Sequence, residues 1–323
     1  MGELEFDRVV GIARNYQESR ILLTASELNL FTLLGENSLS AKSIAEPRAW
    51  NVEALATLLD ALTVIGFLEK SRGEYFVPRV NRELFSADDP RRLTHIMRHF
   101  ASSWSAWSNL TARITGVGEL PQTRDLLHHV ETMHALAQPL APGVAALVRP
   151  EMGRTFLDIG GGAGTFTIAF LDRDRSLKAS LLERPEVLEI TRRHLEEADY
   201  DSAVRLIASD VLVGEWPEAQ DLIFVSAVFY TQTPDACRRL LSHAFGSLKA
   251  GGRIVIRDYI MSEDRLFPRS GALSSVQMLV STEGARPYTF GELRRWLEGQ
   301  GFRDVRLVQD GERMNGVMEA FKP

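Results

Sequence analysis

The chain changes rhythm near residue 150. Before that point apolar residues recur every three or four positions, the period of an amphipathic helix. Phe6, Val9, Val10, Ala13 and Tyr16 follow it, and Ile21, Leu22, Ala25, Leu28 and Leu30 continue it. A further helix start falls at Ser40 or Ser43. Asn51–Leu68 carries Leu55, Leu58, Leu59, Leu62 and Ile65 on one face, and Glu69–Val77 holds a turn at Arg72-Gly73 between two short β-like runs. Three helices followed by a hairpin make the pattern of a winged helix. Residues 88–150 read as more helices around Trp104 and Trp107, with breaks at Pro121, Pro139, Pro142 and Pro150.

Beyond residue 150, short apolar runs at 155–159, 178–183, 204–208, 221–226 and 253–258 alternate with helical stretches near 164–172, 185–198, 234–249 and 290–300. Such alternation predicts an α/β domain with a mostly parallel sheet and crossover helices. At the end, Val305–Val308 and Gly316–Phe321 flank Asp310-Gly311, predicting a hairpin that adds an antiparallel edge strand. The expected division is a winged-helix domain over 1–105, connecting helices over 106–150 and an α/β domain over 151–323.

A length of 323 residues suits two domains. The net charge of −6 argues against non-specific binding to nucleic acid or an anionic membrane. One cysteine, Cys237, excludes an intramolecular disulfide and suits a reducing compartment. No apolar run approaches the roughly 20 residues that cross a bilayer. A soluble, cytoplasmic protein without nucleic-acid or membrane partners is expected.

The chemistry is carried by TFLDIGGGAGTF at 155–166. Here a buried strand ends at Asp158 and runs into Gly160-Gly161-Gly162-Ala163-Gly164. Glycines serve where the backbone turns sharply and must approach a ligand without a Cβ, and the helix that follows offers free N–H groups to an anion. A dinucleotide fingerprint requires Gly-x-Gly-x-x-Gly; counted from Gly160, its third position is Thr165. The pattern Gly160-x-Gly162-x-Gly164, with an acid two residues before the first glycine, resembles instead the first motif of the Rossmann-like methyltransferases, which implies S-adenosylmethionine. Glu183 ends the next strand, 23 residues after Gly160, where an acid binds a ribose hydroxyl pair. The third strand ends in Ser209-Asp210-Val211, so three acids close three successive strands at the edge where open α/β sheets bind ligands.

With both halves in view, the chain resembles the small-molecule O-methyltransferases of the caffeate, antibiotic and pigment type. The likeness rests on the winged-helix pattern, FLDIGGGAGTF, the stretch DLIFVSAVFYTQTPDACRRLLSHAFGSLKAGGRIVIRDYIM and the terminal TFGELRRWLEGQGF. It implies a Rossmann-like methyltransferase sheet, S-adenosylmethionine as cofactor with S-adenosylhomocysteine as product, and a homodimer joined through the N-terminal domain. It places Gly160 and Gly162 at the amino-acid end of the cofactor and Glu183 at the ribose. Asp210 and Val211 would frame the adenine, Ser226 would lie beneath the cofactor, and Met133 would adjoin the sulfonium.

The acceptor half departs from that family. Its histidine base follows the fourth strand, where this chain has Val228-Phe229-Tyr230-Thr231-Gln232, so Tyr230 stands in that place. A second family acid falls on Pro287, and only Asp258 survives from the acid/base set. Tyrosine, with an ordinary pKa near 10, is mostly protonated at neutral pH and serves better as donor or positioner than as base. An acidic acceptor, a carbon nucleophile or another base would each accommodate the change, as would a cofactor-binding protein that does not methylate. His99 and His134 are the candidate replacement bases among His95, His99, His128, His129 and His134. No metal is expected: His95 and His99 have metal spacing but no third ligand. Met97, Phe100, Trp104, Trp107, Phe229, Met261, Met278 and Tyr288 suggest an aromatic or polycyclic acceptor. Arg257, Arg269 and Arg286 are read as surface groups that an acceptor carboxylate could also recruit.

Overall fold

In the computed structural model, residues 5–85, 93–120, 125–152 and 154–323 are described. The chain divides into two compact units, 1–104 and 105–323, with the boundary inside the helix Leu93–Ser108.

The first unit contains the expected helices and hairpin. Asn51 accepts the Ala54 N–H and so caps Val52–Val64. Ser40, rather than Ser43, caps Ala41–Ala45. The strands Glu69–Ser71 and Glu74–Phe76 pair across Arg72 and Gly73, both with positive φ, and Leu39–Ser40 adds a third strand. Two successive left-handed residues match the twist of a tight hairpin. Leu30, Leu34, Ile44, Leu59 and Leu62 are fully buried, and Phe31 stacks on Phe85 at 3.7 Å.

The second unit is a seven-stranded sheet of β1 (Thr155–Ile159), β2 (Lys178–Glu183), β3 (Val204–Ala208), β4 (Gln220–Ser226), β5 (Leu248–Asp258), β6 (Arg303–Gln309) and β7 (Gly316–Phe321). Their order is 3-2-1-4-5-7-6, and all pairings among the first five are parallel. Strand side chains alternate between faces. Leu157, Ile159, Ile223, Val225, Ile254 and Ile256 enter one core layer, and Phe156, Phe224 and Val255 enter the other. Strand order reverses between β1 and β4, which opens a ligand crevice at their carboxyl ends.

The terminal hairpin differs in detail from the expectation. Its antiparallel member, β7, pairs with β5 and lies inside the sheet, while β6 takes the edge. The connection is not a two-residue Asp310-Gly311 turn. It runs over 310–315, where Asn315 accepts the Arg313 N–H through its side chain and a Gln309 amide through its carbonyl.

Candidate functional site

The glycine turn is held from three sides. Beneath it, Asp158 is 1% exposed; its Oδ2 accepts from Thr167 Oγ1 at 2.7 Å, while Oδ1 has no hydrogen-bond partner among the described residues. Burial, and secondarily the Glu183 charge, pushes this carboxyl up to about 7. Beside the turn, Glu183 Oε2 accepts the Gly162 N–H at 3.1 Å and Oε1 accepts the Arg184 N–H at 2.8 Å. Burial nevertheless raises the Glu183 pKa. On the third side Thr191 Oγ1 donates to the Gly162 carbonyl at 2.6 Å.

Gly162 has a φ of +55°, and a Cβ built there meets nothing nearer than Val130 Cγ1 at 3.8 Å. The turn is thus open above Gly162 and closed below Gly161, where a Cβ would fall 2.7 Å from Leu181. Asp210 is exposed at the end of β3, and its Oδ1 accepts the Leu212 N–H at 2.7 Å. Val211 packs half-buried against the core. Three successive strand ends therefore carry acids, from the fully buried Asp158 through Glu183 to the exposed Asp210.

Met133 and His134 lie on the helix Leu126–Ala137, Met133 half-buried. His134 Nδ1 is 2.8 Å from Thr165 Oγ1, at the start of the helix that follows the turn. Its ring stacks on His194 at 4.0 Å, and His194 Nε2 lies 3.1 Å from Glu131, which also pairs with Arg193. His134 is therefore bound into the flank of the glycine turn. His99 belongs to the first unit, and the side chain of His95 falls outside the described residues.

The acceptor candidates gather after β4 and β5. Tyr230 lies in the short turn Phe229–Thr231, is 7% exposed and packs with Met278, Ala285, Tyr259 and Met314. Its ring meets Tyr259 edge-on at 5.6 Å. Asp258 is fully buried and accepts two backbone N–H groups, Tyr230 at 3.2 Å and Tyr259 at 2.7 Å. Burial pushes it up to about 7, against the lowering effect of those amides and of Arg257. Asp258 thus fixes the backbone that presents Tyr230. Pro287 is buried and precedes Tyr288, whose hydroxyl donates to the Gln232 carbonyl at 2.6 Å. Arg286 forms two hydrogen bonds to Glu292.

Sequence reasoning missed the groups that hold these residues: Thr167 under Asp158, Thr191 on Gly162, Tyr259 against Tyr230. Arg257 was read as a surface group yet is 4% exposed, with Nη1 donating to Ser226 Oγ at 3.0 Å. Its position inside the apolar run IVIRD was the available signal. Among the described residues no three His, Cys, Asp or Glu side chains come together as a metal site, and no helix is long and apolar enough to cross a membrane.

The crevice, the open glycine turn and the flanking Glu183 fit a cofactor that offers a ribose and an amino-acid tail. Residues 144–303 match the family model of the O-methyltransferase domain, and residues 10–86 match that of the O-methyltransferase dimerisation domain. The chain is 26% identical, over 90% of its length and 89% of the relative's, to the S-adenosyl-L-methionine-dependent methyl transferase PigF of a Serratia species. It is 24% identical to the tetracenomycin polyketide synthesis 8-O-methyl transferase TcmO of Streptomyces glaucescens, with 93% of this chain and 92% of that one covered. It is 26% identical to the L-tyrosine C(3)-methyltransferase of Streptomyces lavendulae, covering 93% and 88%. A solved structure of PigF with S-adenosylhomocysteine shares the fold at a TM-score of 0.87, covering 99% of this chain and 100% of that one at 24% identity.

Proposed function

The chain belongs to the S-adenosylmethionine-dependent O-methyltransferase family, and on that premise we propose that it methylates an oxygen of a small aromatic or polycyclic acceptor. The observation that carries this reading is the glycine turn itself, open above Gly162 and bounded by Glu183 at the point where strand order reverses. In this assignment Asp158 supports the turn from below, and Gly160 and Gly162 approach the amino-acid end of the cofactor. Glu183 binds the ribose, Asp210 and Val211 frame the adenine, Ser226 lies beneath the cofactor and Met133 lies near its sulfur. When bound, the cofactor supplies an electrophilic methyl group on a sulfonium. The protein's contribution is alignment of the acceptor oxygen with that methyl.

Tyr230 acts as a positioning group rather than a base. Its backbone is locked by Asp258 and its ring by Tyr259, Met278 and Met314. His134, held against Thr165, serves the cofactor side. Residues 1–105 act as the dimerisation module of a homodimer, and 106–150 supply helices that carry Met133 towards the site.

The test is to incubate the purified protein with S-adenosylmethionine and a panel of hydroxyarenes, measuring S-adenosylhomocysteine and methyl ether together. Equimolar formation of both is expected; acceptor conversion with no loss of the cofactor's methyl group would defeat the reading. Tyr230→Phe should lower kcat by less than about 100-fold, below the roughly 10²–10⁴-fold loss of a general base.

A further inference from the structure

Strand β5 carries two buried arginines that are treated very differently. At its lower end Arg253 is paired in charge and hydrogen bonding: Nη1 pairs with Glu319 at 2.7 Å, and Nη2 donates to the carbonyls of Val148 and Arg149. At the ligand end Arg257, 4% exposed, has one hydrogen bond among the described residues, to Ser226 Oγ. Its guanidinium lies 4.8 Å over the Phe166 ring, and its shielded Nε meets no acceptor among the described residues. The adjacent Asp258 acts on it only through space: successive strand residues face opposite sides, and the hydrogen bonds of Asp258 run to the backbone N–H groups of Tyr230 and Tyr259.

A guanidinium presents five N–H donors in a fork matched to delocalised oxyanions. Buried beside a carboxyl that burial itself pushes towards neutrality, it is costly, and that cost is relieved when an anion binds. The location says which molecule brings the anion. Ser226 closes β4, Phe166 lies in the first turn of the helix after the glycine turn, and Asp258, Tyr259 and Tyr230 are near enough to act on Arg257 electrostatically. The cation is therefore in reach both of the helix that follows the glycine turn and of the Tyr230–Tyr259 pair.

We propose that Arg257 is the counter-charge for an acceptor whose reacting oxygen is ionised at neutral pH, such as an acidic enol or vinylogous acid. This deepens the methyl-transfer reading and rests on it. The acceptor oxyanion attacks the methyl carbon, the C–S bond breaks, and its electron pair passes to sulfur. No proton has to be removed, so the acceptor needs no side-chain base. That accounts for a tyrosine at position 230.

The test uses the full chain saturated with S-adenosylhomocysteine and titrated calorimetrically with two probes of matched size. One is 2-hydroxy-1,4-naphthoquinone, an ionised vinylogous acid; the other is neutral 2-methyl-1,4-naphthoquinone. The wild type should prefer the anion at least tenfold, Arg257→Met should bring the preference below twofold, and Arg257→Lys should retain it. The affinity of Arg257→Met for S-adenosylhomocysteine should stay within threefold of wild type. A wild type without preference, or a preference that survives Arg257→Met, overturns the proposal. A tenfold loss of S-adenosylhomocysteine binding in Arg257→Met overturns it too, because the partner anion is then the cofactor's carboxylate. If the wild type binds no S-adenosylhomocysteine, the underlying methyl-transfer reading falls as well.

Discussion

Two neighbouring glycines separate what the turn does for the fold from what it does for the ligand. At Gly162 an added methyl meets only Val130 at 3.8 Å, but the φ of +55° must be borne by an L-residue. The left-handed conformation costs about 1–2 kcal/mol, or a melting shift of roughly 2–8 °C for a unit of this size. At Gly161 φ is not left-handed, yet the methyl would fall 2.7 Å from Leu181 and 2.9 Å from Asp158 Cγ, both fully buried. Overpacking of that kind costs about 1–3 kcal/mol. The two alanine variants should therefore lose comparable stability. They should differ in affinity, because the Gly162 methyl enters the space assigned to the cofactor and should weaken S-adenosylhomocysteine at least tenfold, about 1.4 kcal/mol. Scanning fluorimetry of the free proteins gives the stability arm. Calorimetric titration with S-adenosylhomocysteine, at a temperature where both variants are folded, gives the other. Wild-type affinity in Gly162→Ala would refute the placement of the cofactor over this turn.

Three further outcomes follow from the buried charges and the thiol. Asp158 is raised from 3.8 to about 7, so between those values the folded protein holds a proton that the unfolded chain has released. Its contribution to stability is full below about pH 4 and is lost as pH rises through 7. Asp158→Asn should therefore show a flatter fall in urea midpoint between pH 5 and 8 than wild type; parallel curves would contradict this. Glu319 pairs with buried Arg253 and with Arg306, and Glu319→Ala should destabilise by about 3–5 kcal/mol because it strands a buried cation. A urea-midpoint change equivalent to less than about 1 kcal/mol would show that the pair is dispensable. The Cys237 thiol, buried and pushed up to about 12, should resist iodoacetamide in the native protein and react quickly in urea, followed by mass spectrometry; fast native alkylation would show that the helix opens.

Elements with a strong period or strong turn chemistry were legible in the sequence. The five parallel strands, the hairpin at Arg72-Gly73 and the terminal helix Phe290–Gln300 all lie close to where their patterns place them. The terminal hairpin was less so, because nothing local says whether β7 will pair with β5 or stand at the edge. The glycine turn and its flanking acids were legible for the same reason as the strands: Gly160, Gly162 and the acids at three strand ends follow one another in a short stretch of chain. The acceptor half was not. Tyr230 and Pro287 could be recognised as substitutions, but what surrounds them comes from Tyr259, Met278, Ala285 and Met314, scattered over 56 residues of sequence.

The glycine spacing and strand rhythm by themselves determined the sheet and the turn and excluded a dinucleotide fingerprint, because a tight turn and an alternating strand are properties of consecutive residues. Tertiary structure alone decided the state of each charge. Burial raised Asp158 and Asp258 towards neutrality. Pairing across strands satisfied Arg253 and left Arg257 short of acceptors, four residues further along the same strand. Solvation and partners are set by what folds against a side chain, and no local pattern encodes that.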